Sequence, residues 1–171
     1  YPRWENLGLS IEPRNIKDVI NDSDLNLDLK KITNSKNPKI LIAGCGTGQH
    51  AITTASKYKN SKILALDLSL KSLSYAKRKA KELKINNIDF IQGDILDLES
   101  IDRKFDIIES VGVLHHMDNP FKGWKILTSC LNNDSLMLIG LYSEKARQHI
   151  KEIKNKINKI KLQSNYKNII K

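Results

Sequence analysis

From residue 39 onward, short apolar runs alternate with segments whose apolar residues recur every three or four positions. Residues 39–43 (K-I-L-I-A), 63–66 (I-L-A-L), 88–91 (I-D-F-I), 105–109 (F-D-I-I-E) and 136–141 (L-M-L-I-G-L) read as strands. Near-continuous apolar composition is what a strand covered on both faces shows. Residues 49–58 and 70–83 read as helices, the second with Leu70, Leu73, Ala76, Ala80 and Leu83 on one stripe and lysines opposite. A short helical turn is expected at 98–103. Asn119-Pro120 then opens a helix running to about residue 131, with Pro120 at the first position, where a missing N–H does no harm. Strands and helices in strict alternation predict a doubly wound α/β fold with a parallel sheet of about five strands.

The flanks differ from this core. Residues 1–38 are polar and broken by Pro2, Pro13 and Pro38, with one short helix expected around 15–21, and read as an N-terminal cap or lid. Residues 39–143 form the core. Residues 144–171 read as a basic amphipathic tail, helical over 145–162 with Ile150, Ile153, Ile157 and Ile160 on one stripe.

Composition narrows the class. The chain has 171 residues, 40% apolar and 28% charged, which suits one globular domain. No apolar run nears the roughly 18 residues of a membrane span, so no membrane partner is expected. The start lacks an initiator Met and a signal-peptide hydrophobic region, so the expectation is a processed chain or a piece of a longer one. Cys45 and Cys130 make no disulfide framework, and a cytoplasmic location is the default. The net charge of +10 invites a nucleic-acid reading, but the tail carries +7 of it and the first 143 residues only +3. Lysines outnumber arginines 24 to 5, and Lys, Asn and Ile, which have A/T-rich codons, are all abundant. The tail reads as a solvated helix face, with nucleic-acid binding weak and non-specific.

Chemistry concentrates where the strands end. Gly44-Cys45-Gly46-Thr47-Gly48 follows the first strand and precedes the first core helix. Glycines there let the backbone turn sharply and let a ligand lie against it, with helix N-terminal amides beyond. A dinucleotide fingerprint needs a third glycine one position later, where Gln49 stands, which disfavours a nicotinamide-dependent oxidoreductase. Asp67 ends the second strand, where a carboxylate can accept from both hydroxyls of a ribose; capping the next helix is the alternative, for which Ser69 is better placed. Asp94 and Ile95 follow the third strand and could hold the edge and face of an adenine, or simply make a turn. His115 and His116 lie past the fourth strand, where an imidazole could act as a general base for an oxygen nucleophile, or one ring could pack or cap the next helix. His50, beside the glycine loop, reads as structural or cofactor-adjacent. No metal-ligand spacing appears.

Taken together, I-L-I-A-G-C-G-T-G, L-A-L-D-L-S, Q-G-D-I and F-D-I-I-E-S-V-G-V-L-H-H-M-D-N-P resemble, in order, four motifs of the class I S-adenosylmethionine-dependent methyltransferases. The flanking Y-P-R-W and I-G-L-Y-S-E-K-A-R resemble bacterial methyltransferase domains associated with tetratricopeptide repeats. The resemblance implies a Rossmann-like fold and methyl transfer to a small-molecule or protein acceptor, with S-adenosyl-L-methionine as cofactor. A non-catalytic binding module of the same fold is the alternative. It places Gly44, Cys45, Gly46, Thr47 and Gly48 under the methionine part and ribose, and Asp67 on the ribose. Leu68 would pack on the adenine, Asp94 and Ile95 would bind its edge and face, and Ser110 and Val111 would line the sulfonium side. One departure stands out: the family usually carries Asp or Glu two residues before the first glycine, and here that residue is Ile42. The Asn119-Pro120 pair stands nine residues past the fourth strand end at Ser110, so it reads as a helix start rather than a nucleic-acid methyltransferase motif. The family sheet has seven strands, the last two antiparallel. The residues after 142 read mostly as one helix, so five parallel strands are expected, with the C-terminal hairpin missing and the fifth strand an open edge.

Overall fold

A computed structural model describes residues 4, 7–23, 25, 27–143, 145, 148, 150, 152 and 153. The chain divides into two units, Tyr1–Leu141 and Tyr142–Lys171. In the second, Gln148, Ile150, Glu152 and Ile153 are helical. The helix expected over 145–162 otherwise lies outside the described residues.

The first unit is built on five strands: β1 (Lys39–Ala43), β2 (Lys62–Asp67), β3 (Ile88–Gln92), β4 (Phe105–Val111) and β5 (Leu131–Gly140). They pair in the order β3-β2-β1-β4-β5, all in parallel. Helices α1 (Ile16–Asn21), α2 (Gln49–Lys57), α3 (Leu70–Glu82) and α4 (Pro120–Ser129) accompany them. This is the doubly wound parallel sheet that the strand–helix alternation predicts, and it has the Rossmann-like form that the family resemblance implies. β1 sits between β2 and β4, so winding reverses there, the place where sheets of this kind bind ligands outside their carboxyl ends.

Alternation along each strand divides the core in two. Ile40, Ile42, Ile63, Ala65 and Ile107 pack with Ile16, Val19 and Ile20 of α1 and Ala51 and Ala55 of α2. Leu41, Ala43, Leu66 and Ile108 pack on the other side with Ile126 and Leu127 of α4 and with Ile95 and Leu98. The N-terminal segment, expected as a cap, thus contributes α1 to the core. Arg14 also bridges to Tyr58 at the end of α2, with Arg14 N–H donating to the Lys57 carbonyl at 2.9 Å.

Two boundaries differ from the sequence expectation. The helical turn expected at 98–103 lies at Ile95–Ser100 as a 3-10 helix. Asp94 caps it: its carboxylate accepts from Leu96 N–H at 2.9 Å, while Asp97 accepts from Asp94 N–H at 3.3 Å. The fifth strand begins at Leu131 rather than 136, and α4 ends at Ser129. Residues 132–135 are the reason: pairing with β4 passes from Phe105↔Leu131 to Ile107↔Leu136 through an irregularity, and Asp134 takes φ +59°. These polar residues hide the strand from a hydrophobic pattern. Among the described residues no strand pairs with the outer edge of β5. No described helix is long and apolar enough to cross a membrane.

Candidate functional site

The glycine loop is fastened to β2 by its own backbone. Gly44 and Cys45 both donate N–H to the Leu66 carbonyl, at 2.8 and 2.9 Å. One residue on, Gly46 N–H donates to Asp67 Oδ2 at 2.7 Å, and Ser69 N–H donates to Asp67 Oδ1 at 2.9 Å. The Asp67 carboxylate therefore joins the loop to the entry of α3. The cap of α3 is Ser69, whose hydroxyl accepts from Ser72 N–H at 3.2 Å, leaving Asp67 out of the cap.

The three glycines serve different ends. All have positive φ, +82° at Gly44, +53° at Gly46 and +87° at Gly48. A Cβ on Gly44 would lie 2.3 Å from Val113 Cγ2, and one on Gly48 would lie 2.5 Å from Ala76 Cβ. Those two permit close packing, of the segment after β4 and of α3 respectively. A Cβ on Gly46 would meet nothing within 4 Å. Gly46 therefore borders open space, beside the half-buried Asp67 carboxylate, which is the room a ligand needs.

The remaining sequence-expected residues group around this point unevenly. Leu68, next to Asp67, is 67% exposed, an apolar surface at the strand end. Gly93 N–H donates to the Asp67 carbonyl at 3.2 Å and draws the end of β3 toward β2. Beyond it, Asp94 is engaged in its capping box and Ile95 is buried with Leu66. Ser110 is fully buried, and its hydroxyl donates to the Ala43 carbonyl at 3.1 Å. It ties β4 to β1 and leaves its backbone, rather than its side chain, at the strand end. Val111 is 47% exposed. Cys45 is buried, and burial first and the Asp67 charge second push its thiol up to about 12, so it stays protonated at neutral pH. Thr47 Oγ1 accepts from Trp4 Nε1–H at 3.2 Å, and the Trp4 ring stands edge-on to Tyr75 of α3 at 5.6 Å. His115 and His116 close a 3-10 turn, Leu114–His116, with their Nε2 atoms 3.1 Å apart. Such a contact requires one ring to donate and the other to accept.

Sequence reasoning missed Glu109 and Trp4. Glu109 is buried on β4, where Oε2 accepts from Thr54 Oγ1–H at 2.7 Å and lies 2.8 Å from His50 Nε2. Burial, and secondarily the charge of Glu109, pushes the Tyr58 phenol above its ordinary range. An acid inside the apolar run F-D-I-I-E was the available signal. Nothing local marked Trp4. Among the described residues no group of acids, histidines and cysteines is arranged to hold a metal ion.

A parallel sheet with a glycine loop at its switch point and an acid on the neighbouring strand is an arrangement of the Rossmann-like class. The chain belongs to the methyltransferase domain family, whose model matches residues 34–171. It is 33% identical over 113 residues to a probable (S)-tetrahydroprotoberberine N-methyltransferase 2 from Papaver bracteatum, covering 66% of this chain and 31% of that protein. It is 40% identical over 82 residues to a release factor glutamine methyltransferase from Flavobacterium psychrophilum, covering 47% of this chain and 28% of the other. The structure of PKMT2 from Rickettsia typhi in complex with AdoHcy superposes with a TM-score of 0.63 at 27% identity, over 71% of this chain and 24% of that one. The chain thus spans about three tenths of the length of the first curated relatives it matches.

Proposed function

We propose that this domain binds S-adenosyl-L-methionine at the carboxyl ends of β1, β2 and β3 and transfers its methyl group to a small-molecule or protein acceptor. The observation that carries the reading is the Gly46–Asp67 pair: a carboxylate held by the loop's own N–H, beside a glycine whose missing side chain leaves open space. The residues present fit the cofactor. Each Asp67 oxygen accepts one backbone hydrogen bond and retains capacity for a ribose hydroxyl. Exposed Leu68 offers a surface for the adenine ring, and Val111, half-exposed at the end of β4, would line the sulfonium side. Asp94 and Ile95 bound the adenine region as a capped turn.

The cofactor supplies a methyl already activated on sulfur, so the protein's part is positioning and exclusion of water. His115 and His116, whose Nε2 atoms lie 3.1 Å apart past the end of β4, would act as the general base for an acceptor that must lose a proton. The relatives' names divide between an alkaloid and a protein acceptor, so both classes stay in the proposal. The resemblance of its flanking segments supports a domain that works beside tetratricopeptide repeats, and Cys45 and Cys130, which make no disulfide framework, support a cytoplasmic location.

Calorimetric titration tests the cofactor. S-adenosylhomocysteine is expected to bind and NAD is not; the opposite result overturns the reading in favour of an oxidoreductase. Incubation with labelled methyl donor and a metabolite or protein extract tests turnover. Binding without transfer to either extract would favour the non-catalytic alternative.

A further inference from the structure

One row of the sheet breaks the apolar pattern on the α2 side. Ile42 of β1 stands in register with Glu109 of β4. Residues paired in register on adjacent strands point to the same face, and both lie toward α2, Ile42 among Ile40, Ile107, Ala51 and Ala55. The position two residues before Gly44 is thus apolar, and the nearest strand places a carboxylate beside it on the same side.

That carboxylate is only partly answered by the protein. The Glu109 side chain is 8% exposed. Oε2 takes both the Thr54 hydroxyl and His50 Nε2, while Oε1 takes no hydrogen bond among the described residues. His50 is the second residue of α2, whose N-cap is the last loop glycine, Gly48. One oxygen of Glu109 is therefore anchored to the first turn beyond the loop, and the other is left over. A carboxylate in an apolar layer is costly to keep charged unless a cation completes its surroundings. Thr54 is neutral, and His50, which is 42% exposed, meets Oε2 alone.

We propose that Glu109 supplies from β4 the acid that β1 lacks at Ile42, and that its uncommitted oxygen accepts from the ammonium group at the amino-acid end of the cofactor. The proposal rests on the cofactor reading above and deepens it. Holding His50 and Thr54 sets α2 and Gly48, and the ligand ammonium provides the missing cation. The nucleoside half of the ligand lies over Gly46, Asp67 and Leu68 and makes no demand on Glu109.

The test compares two ligands on the full chain. S-adenosylhomocysteine carries the ammonium; 5′-methylthioadenosine keeps the nucleoside and sulfur but lacks the amino-acid end. In Glu109→Gln, the dissociation constant for S-adenosylhomocysteine is expected to rise about tenfold or more, as for loss of a charge-assisted hydrogen bond. That for 5′-methylthioadenosine should stay within about twofold. Equal weakening of both ligands would reduce Glu109 to shaping the loop and overturn the proposal, as would no change in either. If Glu109→Gln does not fold by thermal unfolding, Glu109→Met carries the same comparison, since it fills a similar volume with apolar atoms. Restoration of S-adenosylhomocysteine affinity by Ile42→Asp in the Glu109→Gln background would support the exchange directly. A wild-type chain that binds neither ligand overturns the cofactor reading itself, whereas wild-type binding with an indifferent Glu109→Gln overturns only this proposal.

Discussion

The two ends of the sheet use similar groups to opposite effect. At the amino ends, Asp106 Oδ2 accepts from Lys39 N–H at 2.8 Å and Oδ1 accepts from Asn132 Nδ2–H at 3.1 Å. Beside β3, the Asn87 amide donates to the Ala55 and Ser61 carbonyls at 3.1 and 3.3 Å. At the carboxyl ends, Asp67 also accepts two hydrogen bonds, one on each oxygen. The number of bonds does not distinguish Asp106 from Asp67. Their surroundings do: Asp106 is buried, whereas Asp67 is half-buried beside open space over Gly46 and beside exposed Leu68. A polar group becomes a binding site when its fixed bonds hold it in place without closing it off.

Gly44→Val and Gly46→Ala should break this contrast most sharply. At Gly44, a side chain collides with Val113 and must adopt φ +82°. The combined overpacking and left-handed strain is expected to cost about 2–5 kcal/mol in thermal or denaturant unfolding. At Gly46 only the strain applies, about 1–2 kcal/mol, yet S-adenosylhomocysteine binding should fall with it because the methyl enters the ligand's space. Loss of stability without loss of binding at Gly46 would move the ligand elsewhere.

A second pair sharpens the comparison between carboxylates. Asp67→Ala should weaken S-adenosylhomocysteine binding by about 1.5–3 kcal/mol, through loss of charge-assisted acceptors for the ribose. Asp106→Ala should lower stability by about 1–3 kcal/mol, since Lys39 N–H and Asn132 lose their acceptor, and leave the dissociation constant unchanged. Equal binding by wild type and a folded Asp67→Ala would remove Asp67 from the site.

The smallest expected effect is a pH dependence. The folded-state pKa of Cys45 is raised to about 12 from an ordinary value near 9, and burial raises the Tyr58 phenol as well. Both groups favour the protonated form when folded, so their contribution is fully present below the unfolded-state pKa and is lost as pH rises through the folded one. Stability should therefore decline above about pH 9, and Cys45 should resist thiol alkylation at pH 8. Rapid alkylation of Cys45 in the folded chain would show that the loop opens at the site.

Much of this molecule is legible along the chain. Continuous apolar runs and 3.6-residue stripes determine β1, β2, β4 and the core helices, because burial on both faces of a parallel sheet leaves no choice of residue type. The loop pattern and its separation from Asp67 locate the cradle, since glycine takes the positive φ found at 44, 46 and 48 without the penalty of a Cβ. Local polarity defeated the reading at 131–135, where Asn132, Asn133 and Asp134 interrupt the start of β5, and at 94–100, where a capping box moved the 3-10 helix forward. What only the tertiary structure decided is which neighbours share each polar group. Ser110 donates to the Ala43 carbonyl and Asp94 accepts from Leu96 N–H, partners that no local pattern announces. Glu109 came beside Ile42 only because β4 pairs with β1 across 67 residues of chain, Ile42 to Glu109. A one-dimensional pattern encodes which face a residue takes, whereas the partner on that face is set by strand order.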